Sequence, residues 1–197
     1  MRYSEDLDYV RTTAGGVGPL FDAIRDVADD IGFDAVSTAV AQHPKAILRA
    51  RSTAGMPLRI KVEMNTFERA PARPTTTRPL AVETAWFTGT ADVPTFALEE
   101  LIATKLRAMY QRSKGRDVFD LWLVEYRFGL DPRDVAACFG PYRPAGWSAD
   151  IAIANVQRKL ESRTYLEDLR PLVHDWPEGF DAEAAREVAV RFLMVSE

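Results

Sequence analysis

The chain has 197 residues, of which 47% are hydrophobic, 10% aromatic and 27% charged, a composition that fits one large or two small globular domains. No run approaches the roughly 18 uninterrupted apolar residues of a membrane span, and the charged opening Met1-Arg2-Tyr3-Ser4-Glu5-Asp6 lacks the apolar core of a secretory signal. A single cysteine, Cys138, excludes an internal disulfide and a Cys-rich zinc site, and only two histidines, His43 and His174, are present. The expectation is a cytoplasmic protein with no membrane partner, in which Cys138 is a buried helix residue.

The net charge of −4 conceals a strong asymmetry. Between Lys45 and Arg78 there are eight basic residues against Glu63 and Glu68, a net of +6. Five more basic residues lie between Ala103 and Val118 against Asp117 alone, whereas residues 119–197 hold 14 carboxylates and 9 bases. Such segregation predicts a cationic surface for a polyanion on an otherwise acidic protein. Arginine outnumbers lysine 20 to 5, and the planar guanidinium suits phosphate oxygens, although codon bias would give the same ratio.

In chain order, Leu7–Val10 reads as a short strand that ends at the glycine-rich turn around Gly15-Gly16-Val17-Gly18. Pro19 opens a helix with Leu20, Phe21, Ile24, Val27, Ala28 and Ile31 at three- and four-residue spacing, and Gly32 closes it. Three strand candidates follow, at 46–52, 58–65 and 78–87. In the second, alternation places Leu58, Ile60, Val62 and Met64 on one face and Arg59, Lys61, Glu63 and Asn65 on the other. Pro71–Arg78 reads as an exposed loop. Thr95 is the expected N-cap of a helix carrying Phe96, Leu98, Leu101, Ile102, Leu106 and Met109, which Gly115 breaks. A second helix is expected from Arg116 to about Phe128, and others near 132–139, 148–162, 164–172 and 181–195. The fold class is therefore α+β, with an α/β core at 1–92 and a helical region at 93–197. Trp86 and Trp147 are read as packing residues rather than base-stacking ones.

Asp6 and Asp8 flank Leu7 on the first strand, so both carboxylates leave the same face. Two acids held close together repel unless a cation sits between them, and an oxygen-only set suits Mg²⁺ completed by substrate phosphates. Glu63 supplies a third ligand if its strand neighbours the first. A two-metal site requires about this set. On spacing alone, Asp-x-Asp is also a common solvated strand edge.

The residues Arg2-Tyr3-Ser4-Glu5-Asp6-Leu7-Asp8 resemble the Arg-Phe/Tyr-Ser-Glu-Asp-hydrophobic-Asp signature of the AbiEii/AbiGii toxin nucleotidyltransferases, which include the MenT-like toxins of toxin–antitoxin systems. Glu99–Trp122, with Lys105-Leu106 and Arg116-Asp117-Val118-Phe119-Asp120-Leu121, is similar to that family's second motif, and Leu58–Asn65 to its central strand. The resemblance implies a polymerase-β-like minimal nucleotidyltransferase core, a mixed sheet with flanking helices, followed by a C-terminal helical region. It implies a toxin that transfers a nucleoside monophosphate from an NTP to the 3′ acceptor end of tRNA and so blocks aminoacylation, with a cognate antitoxin as partner. By motif position, Asp6 and Asp8, with Glu63, would hold Mg²⁺. Ser4, Lys61 and Lys105 would contact the NTP phosphates, and Asp117 would be essential, ahead of Asp120. Arg49, Arg51, Arg59, Arg112 and Arg116 are the candidates for the RNA backbone. The family pattern also places a helix and a Gly-Gly turn ahead of the first motif, so either such a segment lies upstream or Ser4 takes over its part. Two alternatives are a catalytically weak protein of the same fold that binds RNA or a partner, and transfer of the nucleotide to a protein or small molecule.

Overall fold

The structure, a computed structural model, describes residues 6–85, 87–162 and 164–196. The chain divides into two compact units, Tyr3–Ala70 and Pro71–Glu197. That division falls earlier than the boundary expected at residue 92, because the ribbon that follows Pro71 pairs only with itself and its base is tied to the helical unit.

The first unit is a four-stranded mixed sheet with one helix. Its strands are β1 (Asp6–Val10), β2 (Ala35–Ala39), β3 (Lys45–Arg51) and β4 (Pro57–Asn65), in the order β1-β4-β3-β2. β1 is parallel to β4, while β3 is antiparallel to both β4 and β2. The crossover helix α1 (Gly18–Asp30) packs Phe21 and Ala28 against Ala46, Leu48, Val62 and Met64. Of the inward set that the two-residue alternation selected, Val62 and Met64 are buried while Leu58 and Ile60 stay exposed, and the polar residues of β4 lie on the opposite face. Arg11 fixes the glycine-rich turn by donating to the carbonyls of Gly15 (2.8 Å) and Gly16 (2.5 Å). The turn is a pinned connection. β2 was not expected: Ala-Val-Ser-Thr-Ala is short, weakly apolar and sits at the sheet edge.

The second unit begins with a two-stranded antiparallel ribbon, β5 (Thr76–Glu83) and β6 (Thr88–Thr95). Thr95 therefore ends a strand and does not cap the next helix; Ala97 holds the cap position of α2 (Leu98–Gln111) with no side-chain bond. Trp86 lies outside the described residues. Five helices follow: α2, α3 (Gly115–Phe128), α4 (Pro132–Phe139), α5 (Ala149–Leu160) and α6 (Ala182–Met194). Their three-to-four-residue apolar stripes converge on Leu106, Met109, Leu121, Val135, Phe139 and Phe192, each fully buried. Cys138 is buried among them on α4, and Trp147 packs on Phe139 at 4.6 Å between ring centroids. Asp131, Ser148 and Asp181 cap α4, α5 and α6 by accepting backbone N–H groups.

Residues 164–172 do not form the expected α-helix. They are turns around a short 3-10 segment, Glu167–Leu169. Gly115 explains the difference. A Cβ there would strike the Tyr165 carbonyl and lie 2.8 Å from Asp168 Oδ1, so the segment is pressed onto the start of α3 instead of winding up by itself. Gly115 is thus the first residue of α3, where close approach demands glycine, as well as the break after α2. Among the described residues no helix is long and apolar enough to cross a membrane.

Glu100, on α2, is fully buried. Its carboxylate accepts the backbone N–H of Ala72 (2.6 Å) and Arg73 (2.9 Å) and the hydroxyl of Tyr142 (2.7 Å). Burial, reinforced by this hydrogen bond, raises the Tyr142 pKa, so its hydroxyl remains a donor. The three donors tie the base of the ribbon to α2 and to the turn after α4. Glu100→Ala leaves all of them without an acceptor. Hydrogen bonds to charged groups contribute roughly 1.5–3 kcal/mol each, so the variant, which breaks three, should lose about 4–5 kcal/mol and Tyr142→Phe about 1.5 kcal/mol in urea unfolding. Losses well under 1 kcal/mol for both would show that water serves this carboxylate equally well.

Candidate active site

The parallel register pairs Asp6 with Lys61 and Asp8 with Glu63. Registered neighbours project from the same face, so all four side chains leave the sheet on the side opposite α1. Lys61 Nζ lies 2.9 Å from Asp6 Oδ2 and 3.0 Å from Glu63 Oε2, with all three side chains largely withdrawn from water. Burial works against the ammonium, but the hydrogen bonds to Asp6 and Glu63 outweigh it and its pKa lies above the ordinary value. Asp8 is exposed and forms no hydrogen bond or ion pair with a described residue.

The sequence places three carboxylates together, whereas the structure interposes a lysine. Among the described residues no three ligating side chains are gathered about one point. The donor set still fits a hard divalent cation. Adjacent strands run about 4.8 Å apart, so Asp8 and Glu63, side by side in register, can share an ion that takes its remaining oxygens from water or phosphate. Ser4 lies outside the described residues.

The same face continues across β3. Lys45 is in register with Glu63, and Arg49 with Arg59. Arg49 donates to Ser37 Oγ (2.9 Å), and Arg51 to the Gly55 carbonyl (3.1 Å). Two arginines directly opposite one another cost stability in an isolated sheet. A polyanion bound on this face would offset that cost. Three of the five predicted RNA-contacting residues, Arg49, Arg51 and Arg59, thus share one face that grades from acid at β1 to base at β3.

A second cluster lies in the helical unit. Asp117, in the first turn of α3, is fully buried and accepts both arms of the Arg112 guanidinium at 2.7 Å. Lys105 Nζ is 3.5 Å from Asp117 Oδ1 and 3.0 Å from Asp120 Oδ2. Asp120, which sequence reasoning ranked below Asp117, is therefore the nearer partner of Lys105. The i, i+3 spacing of Asp117 and Asp120 was the available signal, since it aligns both acids along α3. Arg112 is engaged as a fork around Asp117, and Arg116 is half-buried in the first turn of α3. Sequence reasoning also missed Lys159, whose ammonium donates to the carbonyls of Met109 (2.6 Å) and Arg112 (2.7 Å) and so closes the end of α2.

The sequence profile of the nucleotidyl transferase AbiEii toxin family, type IV TA system, matches residues 1–185. The chain belongs to this family. An H. pylori protein assigned as a nucleotidyltransferase shares the fold with a TM-score of 0.53 and 15% identity, over 99% of this chain and 79% of its own. MenT4, a nucleotidyltransferase toxin from Mycobacterium tuberculosis H37Rv, does so with a TM-score of 0.54 and 19% identity, over 98% of this chain and 69% of its own. No curated protein matches the chain significantly. The protein is accordingly a nucleotidyltransferase of a toxin–antitoxin system, and its mixed sheet with flanking helices is that of the nucleotidyltransferase fold.

Two consequences are measurable. Asp117→Asn weakens the hold on Arg112 and Lys105 and should cost about 2 kcal/mol in chemical unfolding, below the ~3–5 kcal/mol of a wholly buried pair because Arg112 is half exposed. Lys61→Gln removes the cation between Asp6 and Glu63. Mn²⁺ titrated without nucleotide should then bind at least ~3-fold tighter than to the unmodified protein. Unchanged Mn²⁺ affinity would mean that Lys61 does not compete for these acids.

Proposed function

We propose that the protein transfers a nucleoside monophosphate from an NTP to the 3′ acceptor end of tRNA in a Mg²⁺-dependent reaction, so that the modified tRNA can no longer be aminoacylated. The observation that carries this reading is the Asp6–Lys61 and Asp8–Glu63 register on the open face of the sheet. It supplies acids for a cation and an ammonium for phosphate within one strand pair.

Asp6, Asp8 and Glu63 are the groups that would hold the divalent cation, which would supply charge neutralisation at the phosphates and a lowered pKa for the attacking hydroxyl. Lys61 exchanges its carboxylate partners for phosphate oxygens when the nucleotide arrives. Ser4 and Lys105 are assigned to the phosphates by motif position. The RNA 3′-oxygen attacks the α-phosphorus as the bond from that phosphorus to the bridging oxygen breaks. The hydroxyl proton passes to solvent water, and pyrophosphate leaves with the electron pair of the broken bond. Lys105 serves as the compact ammonium that follows charge onto the leaving group, and Asp117 and Asp120 hold it in position. Arg49, Arg51 and Arg59 carry the RNA backbone through phosphate contacts with little base specificity. Arg112 and Arg116 flank the Lys105 cluster, Arg112 as the clamp on Asp117 and Arg116 as a further RNA contact. An antitoxin restrains the activity in the cell.

The decisive assay is incubation of the protein with total tRNA, Mg²⁺ and each α-labelled NTP in turn. Label should enter tRNA with one or more nucleotides. Asp6→Asn, Asp8→Asn and Lys105→Ala should each reduce incorporation by roughly 100-fold or more, the size of effect typical of removing one electrostatic partner of a transition state. Label that appears on protein or on a small molecule, with tRNA blank, would replace tRNA as the acceptor. Full incorporation by the Asp6 variant would overturn the site.

A further inference from the structure

The inward stripe of α5 ends on a charge. Ala149, Ala152 and Val156 are buried at three- and four-residue spacing, and the next position of that stripe is Lys159. Its half-buried ammonium donates to two carbonyls at the end of α2, those of Met109 (2.6 Å) and Arg112 (2.7 Å). Asn155, one turn earlier on α5, reaches the Tyr110 carbonyl at 3.4 Å. An apolar residue at 159 would continue the stripe at less cost, because withdrawing an ammonium from water is unfavourable. Burial lowers the Lys159 pKa, and the Asp117 carboxylate acts on it in the opposite direction, so Lys159 lies in the field of the Lys105 cluster.

The carbonyl that Lys159 holds belongs to the residue that grips Asp117. The connection from α2 to α3 is only Arg112-Ser113-Lys114. Arg112 leaves α2 with extended backbone (φ −133°, ψ 169°), which strands the last carbonyls of the helix without helical partners. Lys159 takes two of these acceptors, and its charge suits the negative end of α2. From that pinned backbone the Arg112 guanidinium forks onto Asp117, with both arms at 2.7 Å. Asp117 Oδ1 then stands 3.5 Å from Lys105 Nζ, and Asp120 Oδ2 3.0 Å from it. Three helices thus meet in one relay: α5 fixes the end of α2, which fixes the first turn of α3, which holds Lys105.

We propose that Lys159 is a positioning residue for nucleotidyl transfer, pinning Arg112 so that Asp117 and, through it, Lys105 keep their places. Lys105 enters in the role given above, as the ammonium at the departing pyrophosphate, so the effect on turnover rests on that reading. Lys159 lies outside both sequence motifs, and it touches neither Asp117 nor Lys105 through a hydrogen bond or ion pair among the described residues. Because Lys105 matters most as charge moves onto the leaving oxygen, its displacement affects turnover and spares ground-state nucleotide binding.

One arm of the test needs no turnover. In proton–nitrogen correlation spectra of the full chain, the Arg112 Nε–H is assigned by its loss in Arg112→Lys. It should exchange slowly with water, since it donates to a buried carboxylate. Lys159→Gln should speed that exchange roughly tenfold, and Lys159→Arg, which keeps the charge and the donors, should bring it back to within about twofold. Lys159→Met, which keeps the stem packed, carries the same expectation and replaces Lys159→Gln if that variant does not fold. The other arm measures transfer to total tRNA from NTP and from its β,γ-difluoromethylene analogue, whose leaving group is the weaker base. With NTP, Lys159→Gln should lower kcat roughly tenfold and leave KM within about twofold, and with the analogue the loss should shrink to about threefold. A role in stability alone would lower both reactions equally. Absence of transfer by the unmodified protein would count against the tRNA reading, and the exchange arm would then decide on Lys159 by itself. An Arg112 Nε–H that stays protected in Lys159→Gln, or an equal loss with both leaving groups, overturns the proposal.

Discussion

The parallel pairing of β1 with β4 is the constraint on which the sheet's chemistry depends. Side chains alternate along a strand, so a slip of one residue would turn Asp6 and Asp8 under α1 and drive Leu7 and Tyr9 outward. The register is held because Val62 and Met64 must enter the core with Phe21 and Ala28. Apolar packing on one face therefore dictates which charges meet on the other. Lys61 then lies between two carboxylates that would otherwise repel, and the ion triad lets β1 sit beside β4 without a bound cation.

The helical unit handles buried charge by another route. Glu100 and Asp117 are both fully buried, and each is surrounded by donors from outside its own helix turn. Removing charge from water is costly unless hydrogen bonds and opposite charges make good the loss. Glu100 meets that requirement with neutral donors and serves as a structural tie. Asp117 meets it with a guanidinium and an ammonium, so the same carboxylate both joins α2 to α3 and fixes the position of Lys105.

The fold was readable wherever periodicity and burial agreed. The alternation of Leu58–Asn65 marked β4 and its polar face, and the apolar stripes marked α1, α2, α3 and α6. β2 and β6 escaped because their residues carry little apolar pattern: β2 is an edge strand, and Gly89, Asp92 and Pro94 weaken the strand signal of β6. The helix expected at 164–172 had adequate local propensity and lost to a tertiary contact, the docking of Tyr165 and Asp168 on Gly115. For the site, the family signature pointed to Asp6, Asp8, Lys105 and Asp117 more firmly than their spacing did. Register could not be read from one sequence, so the interposition of Lys61 was invisible, as was the preference of Lys105 for Asp120. Those are facts about which side chains lie opposite, and only the folded chain fixes them.

The ion triad also shapes how the proposed ligands would enter the sheet. A divalent cation alone must displace the Lys61 ammonium and leave it with unneutralised charge in a partly dry setting. A polyphosphate alone must draw Lys61 away from Asp6 and Glu63 and leave those acids facing each other. Both half-steps are unfavourable for the same reason, and arrival of the two together would remove both costs, since phosphate would pair with Lys61 while Asp6 and Glu63 would be left to hold the cation. On the proposed reading, nucleotide and metal therefore bind with positive coupling, and by linkage each tightens the other by the same factor. On that reading the coupling would arise in the resting pairing of Asp6, Lys61 and Glu63, and a lysine that looks inhibitory in the free protein would make the site selective for a metal-complexed nucleotide over either component.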